Sequence, residues 1–266
     1  MTQPTSPVHA ANPRQDSPGW GRYLLEEQLA AGGMGVVWKA ADRSTGAEIA
    51  LKRLTTEGAH AGAALHAFQR EYQVLKGIAH PRIIRVFDYG VDELGPYYTM
   101  ELLGGHDLRE AAPLEWTLAC SYLRDIATSL ALLHARQFVH RDISPANVRV
   151  TPDGHCKLLD FGALAPFGPS RFIMGTAPMV PPEALRGDPL DQRSDLYALG
   201  ALAYWIVSGR HAYPAKTLSD LPKRWQNVPP SLASLCPGVP TELDQLVMSL
   251  LSADPRARPS SAAEVI

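Results

Sequence analysis

The sequence predicts an α+β chain whose strand-rich first part gives way to a mostly helical second part. Three observations carry this. Between Tyr23 and Glu101, short apolar runs are separated by turn residues, and only one stretch has helical spacing. From Leu114 onward, apolar residues recur at helical spacing over long segments. Between the two lies Leu102-Leu103-Gly104-Gly105, which reads as a connector. The expected organisation is a disordered tail over 1–19, a strand-rich lobe over 20–102 and a helical lobe over 103–266.

The elements follow in order. Met1–Pro18 is rich in Pro, Ser, Thr, Gln and Asn and cannot bury enough apolar surface to offset ordering; the first element is expected near Trp20. Tyr23–Ala30 and Val36–Ala41 read as strands around a glycine-rich turn, and Glu48–Arg53 as a third strand. Ala63–Ile78 has helical spacing, with Leu65, Phe68, Tyr72, Leu75 and Ile78 near one face. Ile83–Tyr89 and Tyr97–Glu101 complete a five-stranded antiparallel sheet carrying one main helix. Leu114–Arg136 is a long helix, and Asn147–Val150 and Lys157–Leu159 are short strands. Ala163–Pro182 reads as a surface loop, Asp195–Val207 as a buried helix, Ser208–Pro240 as irregular and Thr241–Leu251 as an amphipathic helix. A further helix is expected to begin at Ser260–Ile266, so the domain is expected to continue into a longer protein.

Composition narrows the function classes. Twenty-five Lys and Arg against 27 Asp and Glu leave a net charge of −2, which does not favour nucleic acid or an anionic membrane as a partner. Cys120, Cys156 and Cys236 are odd in number and lack paired spacing, which argues against a disulfide framework or a zinc site and for a reducing cytoplasm. No apolar run is long enough to span a bilayer, and the N-terminus lacks an export signal.

The chemistry concentrates in Val139–Asn147. Asp142 lies five residues before Asn147, after His140-Arg141, and a second acid follows in Asp160-Phe161-Gly162. Asn147 and Asp160 offer oxygens to a hard divalent ion such as Mg2+, which takes one or two protein ligands and the rest from phosphate and water. Asp142 is left to accept a hydrogen bond from an attacking hydroxyl, which is phosphoryl-transfer chemistry. Upstream, the turn Leu29-Ala30-Ala31-Gly32-Gly33-Met34-Gly35-Val36-Val37 lets backbone amides approach phosphate oxygens. A helix would have to follow it in a dinucleotide fingerprint, but Val36–Ala41 reads as strand. Lys52 ends an apolar strand, so its ammonium needs an anion, and Glu71 on the first helix is the candidate. Singly, each is also an ordinary hairpin, surface lysine or turn cap; their order along one chain makes that reading improbable.

In this order the motifs resemble the eukaryotic-like (Hanks-type) Ser/Thr protein kinases of bacteria, over Tyr23–Ile266. Ala50-Leu51-Lys52, Glu71, His140-Arg141-Asp142, Asn147 and Asp160-Phe161-Gly162 match that family's signatures. So do Pro181-Pro182-Glu183, Asp195, Gly200 and Arg258, and the tail resembles kinase domains of myxobacterial signalling proteins. The resemblance implies a bilobal protein-kinase-like fold, ATP and Mg2+ as cofactors, and protein substrates. It implies adenine contacts from the backbone of Glu101 and Leu103, with Met100 as gatekeeper, Val37 and Ala50 over the ring and Asp107 at the ribose. It also implies an internal spine of Leu75, Val86, His140 and Phe161, with both aromatic members buried.

Four departures accompany the resemblance. Ser144 stands where the family has a lysine that donates to the γ-phosphate. A charge-assisted hydrogen bond is worth about 1.5–3 kcal/mol, so its loss implies roughly tenfold to hundredfold slower turnover. Ala30 replaces the first loop glycine, and Arg149 replaces an apolar residue under adenine, its stem expected to pack there with the guanidinium reaching outward. Ser170 is the only hydroxyl in the activation segment before Thr176, so activity independent of loop phosphorylation is expected. Gly175-Thr176 favours Ser/Thr substrates. The alternative to a kinase is a nucleotide-binding scaffold without turnover, and a third reading is a small-molecule kinase.

Overall fold

The computed structural model describes residues 21–32, 35–55, 61–170 and 172–266. The expected tail over 1–19, the start at Trp20, and Gly33 and Met34 of the glycine-rich turn lie outside the described residues. The described residues fall into two compact units, one of those between 21 and 65 with 86–102, the other of those between 66 and 85 with 103–266.

The first unit is built on a sheet of five antiparallel strands: β1 (Tyr23–Gly32), β2 (Gly35–Asp42), β3 (Glu48–Leu54), β4 (Val86–Asp92) and β5 (Gly95–Glu101). Their spatial order is β1-β2-β3-β5-β4, as the run of hairpins with one crossover dictates. One sheet face buries Tyr23, Leu25, Ala40, Ile49 and Leu51, with Trp38 and Tyr97 packed on them. Arg53 and Asp92 pair at the β3 and β4 ends, beside the Tyr97 ring. Helix α1 (Ala61–Lys76) begins in the first unit and continues in the second, burying Phe68, Glu71, Tyr72 and Leu75.

One expected strand is displaced. Ile83–Tyr89 reads as a strand in sequence, but β4 starts at Val86. Ile83 and Ile84 instead attach to the second unit: Ile83 forms a parallel bridge to Leu158, and Ile84 N donates to Leu158 O at 3.1 Å. An apolar run consumed by another unit's backbone looks the same in sequence as a strand of its own sheet.

The second unit contains β6 (His106–Asp107), α2 (Leu108–Ala111), α3 (Trp116–Ala135), β7 (Phe138–Val139), β8 (Val148–Val150), β9 (Cys156–Leu158) and β10 (Ala165–Pro166). The helices α4 (Pro182–Arg186), α5 (Gln192–Ser208), α6 (Leu221–Arg224), α7 (Leu232–Leu235) and α8 (Thr241–Leu250) follow. Strands β6, β8 and β9 form a small sheet, and β7 pairs with β10. Helix α5 is buried around its whole circumference from Ser194 to Tyr204, which is why its apolar residues show no single face. Gly200 allows that depth, since a Cβ there would lie 2.5 Å from Leu250 Cβ. The stretch 163–182 departs from a plain surface loop: β10 ties its start to β7, and Ala163, Leu164, Met179 and Val180 are buried. The expected helix at the end of the chain is a single 3-10 turn over Ala262–Glu264. Among the described residues no helix is long and apolar enough to cross a membrane.

Candidate active site

The stretch after β7 is held by one carboxylate. Asp195, in the first turn of α5, is completely buried. Its Oδ2 accepts from His140 N at 2.8 Å and meets His134 Nε2 at 2.9 Å, while its Oδ1 accepts from Arg141 N at 2.9 Å. Arg141 has φ +70°, in the left-handed region that non-glycine residues avoid, and Asp195 offsets that strain through its two backbone bonds. Burial alone would raise the Asp195 carboxyl. The His134 hydrogen bond, the neighbouring imidazoles and the Arg141 amide outweigh it and hold the carboxyl below its ordinary range. Burial also lowers His140, a neutral ring stacked edge-on to Phe161 at 4.7 Å. Gly175 passes so close to Arg141 that a Cβ would lie 2.6 Å from its carbonyl oxygen.

Asp142 is oriented from both sides. Its Oδ2 accepts from Asn147 Nδ2 at 2.8 Å, and the same amide reaches the Asp142 carbonyl at 2.9 Å. Its Oδ1 accepts from both the amide and the hydroxyl of Thr176, each at 3.0 Å. Asn147 thus spends its amide nitrogen on Asp142 and keeps its side-chain oxygen as a donor for a cation. Asp160 is the other oxygen donor; it has φ +49°, and its Oδ1 accepts from Gly162 N at 3.3 Å. One amide oxygen and one carboxylate on strained backbone suit a hard ion that completes its shell with phosphate and water. No group of three or more His, Cys, Asp or Glu that could hold a metal occurs among the described residues.

Glu71 on α1 is buried, and its Oε1 accepts from Phe161 N at 3.0 Å, tying that helix to the Asp-Phe-Gly turn. Leu75, Val86, His140 and Phe161 are all buried. In the first unit, Lys52 is 6% exposed, which for a lysine marks a functional or structural demand, and its Nζ lies 5.9 Å from the Tyr98 ring centre. Across the sheet Val37 faces Lys52, and Ala50 faces Met100, which faces Val86. Glu101 ends β5 and Leu103 opens the second unit; both are half-buried. Leu29, Ala30, Ala31 and Gly32 are exposed at the end of β1, and Val36 is half-buried in β2. Gly35 has no alternative residue, because a Cβ there would lie 2.1 Å from Arg53 O.

The remaining candidates lie in the second unit. Asp107 caps α2, accepting from Arg109 N at 2.9 Å, and its carboxylate is gripped by the Arg109 side chain, which lowers its pKa. Opposite it on β8, Arg149 turns to the connector, its Nε donating to Gly104 O at 3.2 Å. Ser144 is buried and its hydroxyl makes no hydrogen bond among the described residues. Ser170 Oγ lies 2.6 Å from Arg141 Nη1 and donates to Phe172 O at 2.8 Å. Arg141 also donates to Ala163 O.

The segment carrying Thr176 ends in a buried ion pair. Arg258 Nη1 and Nη2 reach the two Glu183 oxygens at 2.6 and 2.8 Å, and Ser194 Oγ adds a bond at 3.0 Å. Such a fork-to-fork pair fixes geometry as well as charge. His134 and Ser194 are contributors that motif reading passed over. A histidine on the apolar face of α3, and a serine beside Asp195 on a fully buried helix, were the available signals.

The model of the protein kinase domain family matches residues 23–266. A probable serine/threonine-protein kinase of Corynebacterium efficiens is 34% identical over 266 residues, covering 92% of this chain and 40% of that relative. The serine/threonine-protein kinase PknA of Mycobacterium tuberculosis is 32% identical over 253 residues, covering 90% of this chain and 58% of its own. A probable serine/threonine-protein kinase of Streptomyces coelicolor is 34% identical over 269 residues, at 92% and 39%. The chain thus spans about 40–60% of the length of these relatives. With the family model covering nearly the whole chain and the oriented Asp142, Asn147 and Asp160 in one unit, the chain belongs to the protein kinase domain family.

Proposed function

We propose that this domain transfers the γ-phosphoryl group of ATP to Ser or Thr hydroxyls of protein substrates, as part of bacterial signalling in the cytoplasm. The observation that supports it most is the two-sided clamp on Asp142, with Asn147 on one oxygen and Thr176 on the other. A carboxylate held this way presents a fixed acceptor to an incoming hydroxyl, and positioning supplies most of the catalysis in phosphoryl transfer. The substrate oxygen bonds to the γ-phosphorus as the bond from that phosphorus to the bridging oxygen of ADP breaks. The hydroxyl proton passes to Asp142 and then to solvent. Asn147 and Asp160 would hold Mg2+, which neutralises the phosphate charge when bound. Lys52 and Glu71 orient the α- and β-phosphates, and Leu29–Val37 covers them. Met100, Glu101, Leu103, Val37 and Ala50 receive adenine, and Asp107 the ribose. The free thiols of Cys120, Cys156 and Cys236 fit a reducing compartment.

Incubation of the domain with radiolabelled ATP, Mg2+ and dephosphorylated casein is expected to label the protein substrate, and Asp142→Ala to lower the rate by about 10²–10⁴-fold. Nucleotide binding without transfer would reject this reading. It would favour a scaffold that binds nucleotide but does not turn over, a reading supported by the unengaged hydroxyl of Ser144. Ser144→Lys distinguishes the two. It is expected to raise turnover by roughly tenfold to hundredfold, and no gain would mean that the missing ammonium does not limit the rate.

A further inference from the structure

The irregular stretch between α5 and α8 has no part in the site described above, yet it sends one side chain into the network around the Arg258–Glu183 pair that ends the segment carrying Thr176. Trp225 caps the end of α6 and is half-buried. Its Nε1 donates to Tyr197 Oη at 2.9 Å. Tyr197 is completely buried on α5, two residues after Asp195, and burial pushes its phenol well above the usual range. Its ring lies under the Arg258 guanidinium at 4.9 Å. Arg258 has little freedom left, because it also donates to Ser252 O and Arg193 O, each at 2.9 Å, besides gripping Glu183. The face of the guanidinium therefore rests on Tyr197, and the edge of Tyr197 rests on Trp225. Glu183 lies in the first turn of α4, seven residues beyond Thr176, whose amide and hydroxyl both meet Asp142.

We infer that Trp225 is a positioning residue for the segment 175–183, acting through Tyr197 and the Arg258–Glu183 pair. The inference rests on the kinase reading only in assigning that segment to protein-substrate docking. A buried tyrosine with a polar tip needs a partner there, and an indole N–H is a donor that cannot be exchanged for an acceptor. The hydrogen bond fixes the tilt of the ring, and the ring fixes the plane of the guanidinium, where a cation–π contact depends on face-on geometry. Losing the donor frees the ring and lets the Glu183 end of the segment shift, while Asp195, on the other side of α5, keeps its hold on His140 and Arg141.

The experiment compares the whole chain with Trp225→Phe, Tyr197→Phe and the double variant. The KM for dephosphorylated casein is expected to rise about two- to tenfold in each single variant, the size of one neutral hydrogen bond, with the KM for ATP unchanged. The double variant is expected to match the single ones, since both remove the same bond. Hydrogen exchange supplies a readout that does not require activity: residues 175–186 exchange faster in either variant, and residues 140–150 do not. Transfer with unchanged exchange over 175–186, or additive effects in the double variant, overturns the inference. Faster exchange over 175–186 without any transfer in the unsubstituted chain supports the inference while rejecting the kinase reading. Should Trp225→Phe fail to fold, Tyr197→Phe carries the same comparison.

Discussion

The two signature-rich stretches of this chain are held in opposite ways. Leu29–Gly32, on the way into the glycine-rich turn, is exposed along its length and held by the ladder to β2, whose register slips twice along β1. His140–Asp142 is pinned by the buried Asp195 carboxylate of α5, with strained backbone at Arg141 and a two-sided clamp on Asp142. The difference fits the chemistry proposed for each. A flap over a nucleotide must open to exchange it, and elements that open are drawn from the least stable part of a fold. A carboxylate that meets a hydroxyl must already be in place, so its support is buried.

This contrast can be broken most severely at Asp195. Asp195→Ala orphans the amides of His140 and Arg141, each a loss of about 1–3 kcal/mol, and so should cost about 2–6 kcal/mol by denaturant unfolding. That is a large share of a domain's typical stability of about 5–15 kcal/mol. A loss near zero would mean that the loop is held by something else. Next comes the one rigid point of the hairpin. Gly35→Ala forces the β2–β3 ladder apart at Arg53 and should destabilise the fold by about 1–3 kcal/mol. Its control, Ala30→Gly at an exposed position, should stay within about 1 kcal/mol. Equal effects would erase the distinction between the flap and its root.

The smallest expected effect is a pH dependence. Burial holds His140 below its ordinary pKa, partly opposed by the carboxylates of Asp195, Asp142 and Asp160. The unfolded chain titrates that imidazole near about 6.5, so acid protonates the unfolded state first. The contribution is therefore complete above about pH 6.5 and is lost as pH falls below it. The thermal midpoint should drop between pH 7.5 and 5.5, and His140→Phe should flatten the slope. Half-buried His80 and His211, lowered chiefly by their partial burial, account for the part that remains. A midpoint that rises in acid would contradict the neutral, buried imidazole.

Much of this was legible in the residues themselves. The short apolar runs of β1, β2, β3 and β5, the period of α1 and the apolar length of α3 and α5 are local properties, and local spacing is what determines which face of an element can be buried. The order of Lys52, Glu71, Asp142, Asn147 and Asp160 also stands in the sequence, because the proposed phosphoryl transfer would draw on those residue types whatever surrounds them. Other features depended on distant backbone. Ile83 and Ile84 read as strand but are taken up by Leu158, and Ala163–Pro182 reads as open loop although Val139 and Arg141 tie down its start. Trp225 looks like any tryptophan in a Pro-rich stretch until Tyr197 lies beneath Arg258. By itself, then, the sequence determined the elements and the chemical inventory, through periodicities and donor atoms carried within a few residues. Tertiary structure decided which carboxylate holds which amide, because a buried hydrogen bond is specified by two partners that meet only when the chain has folded.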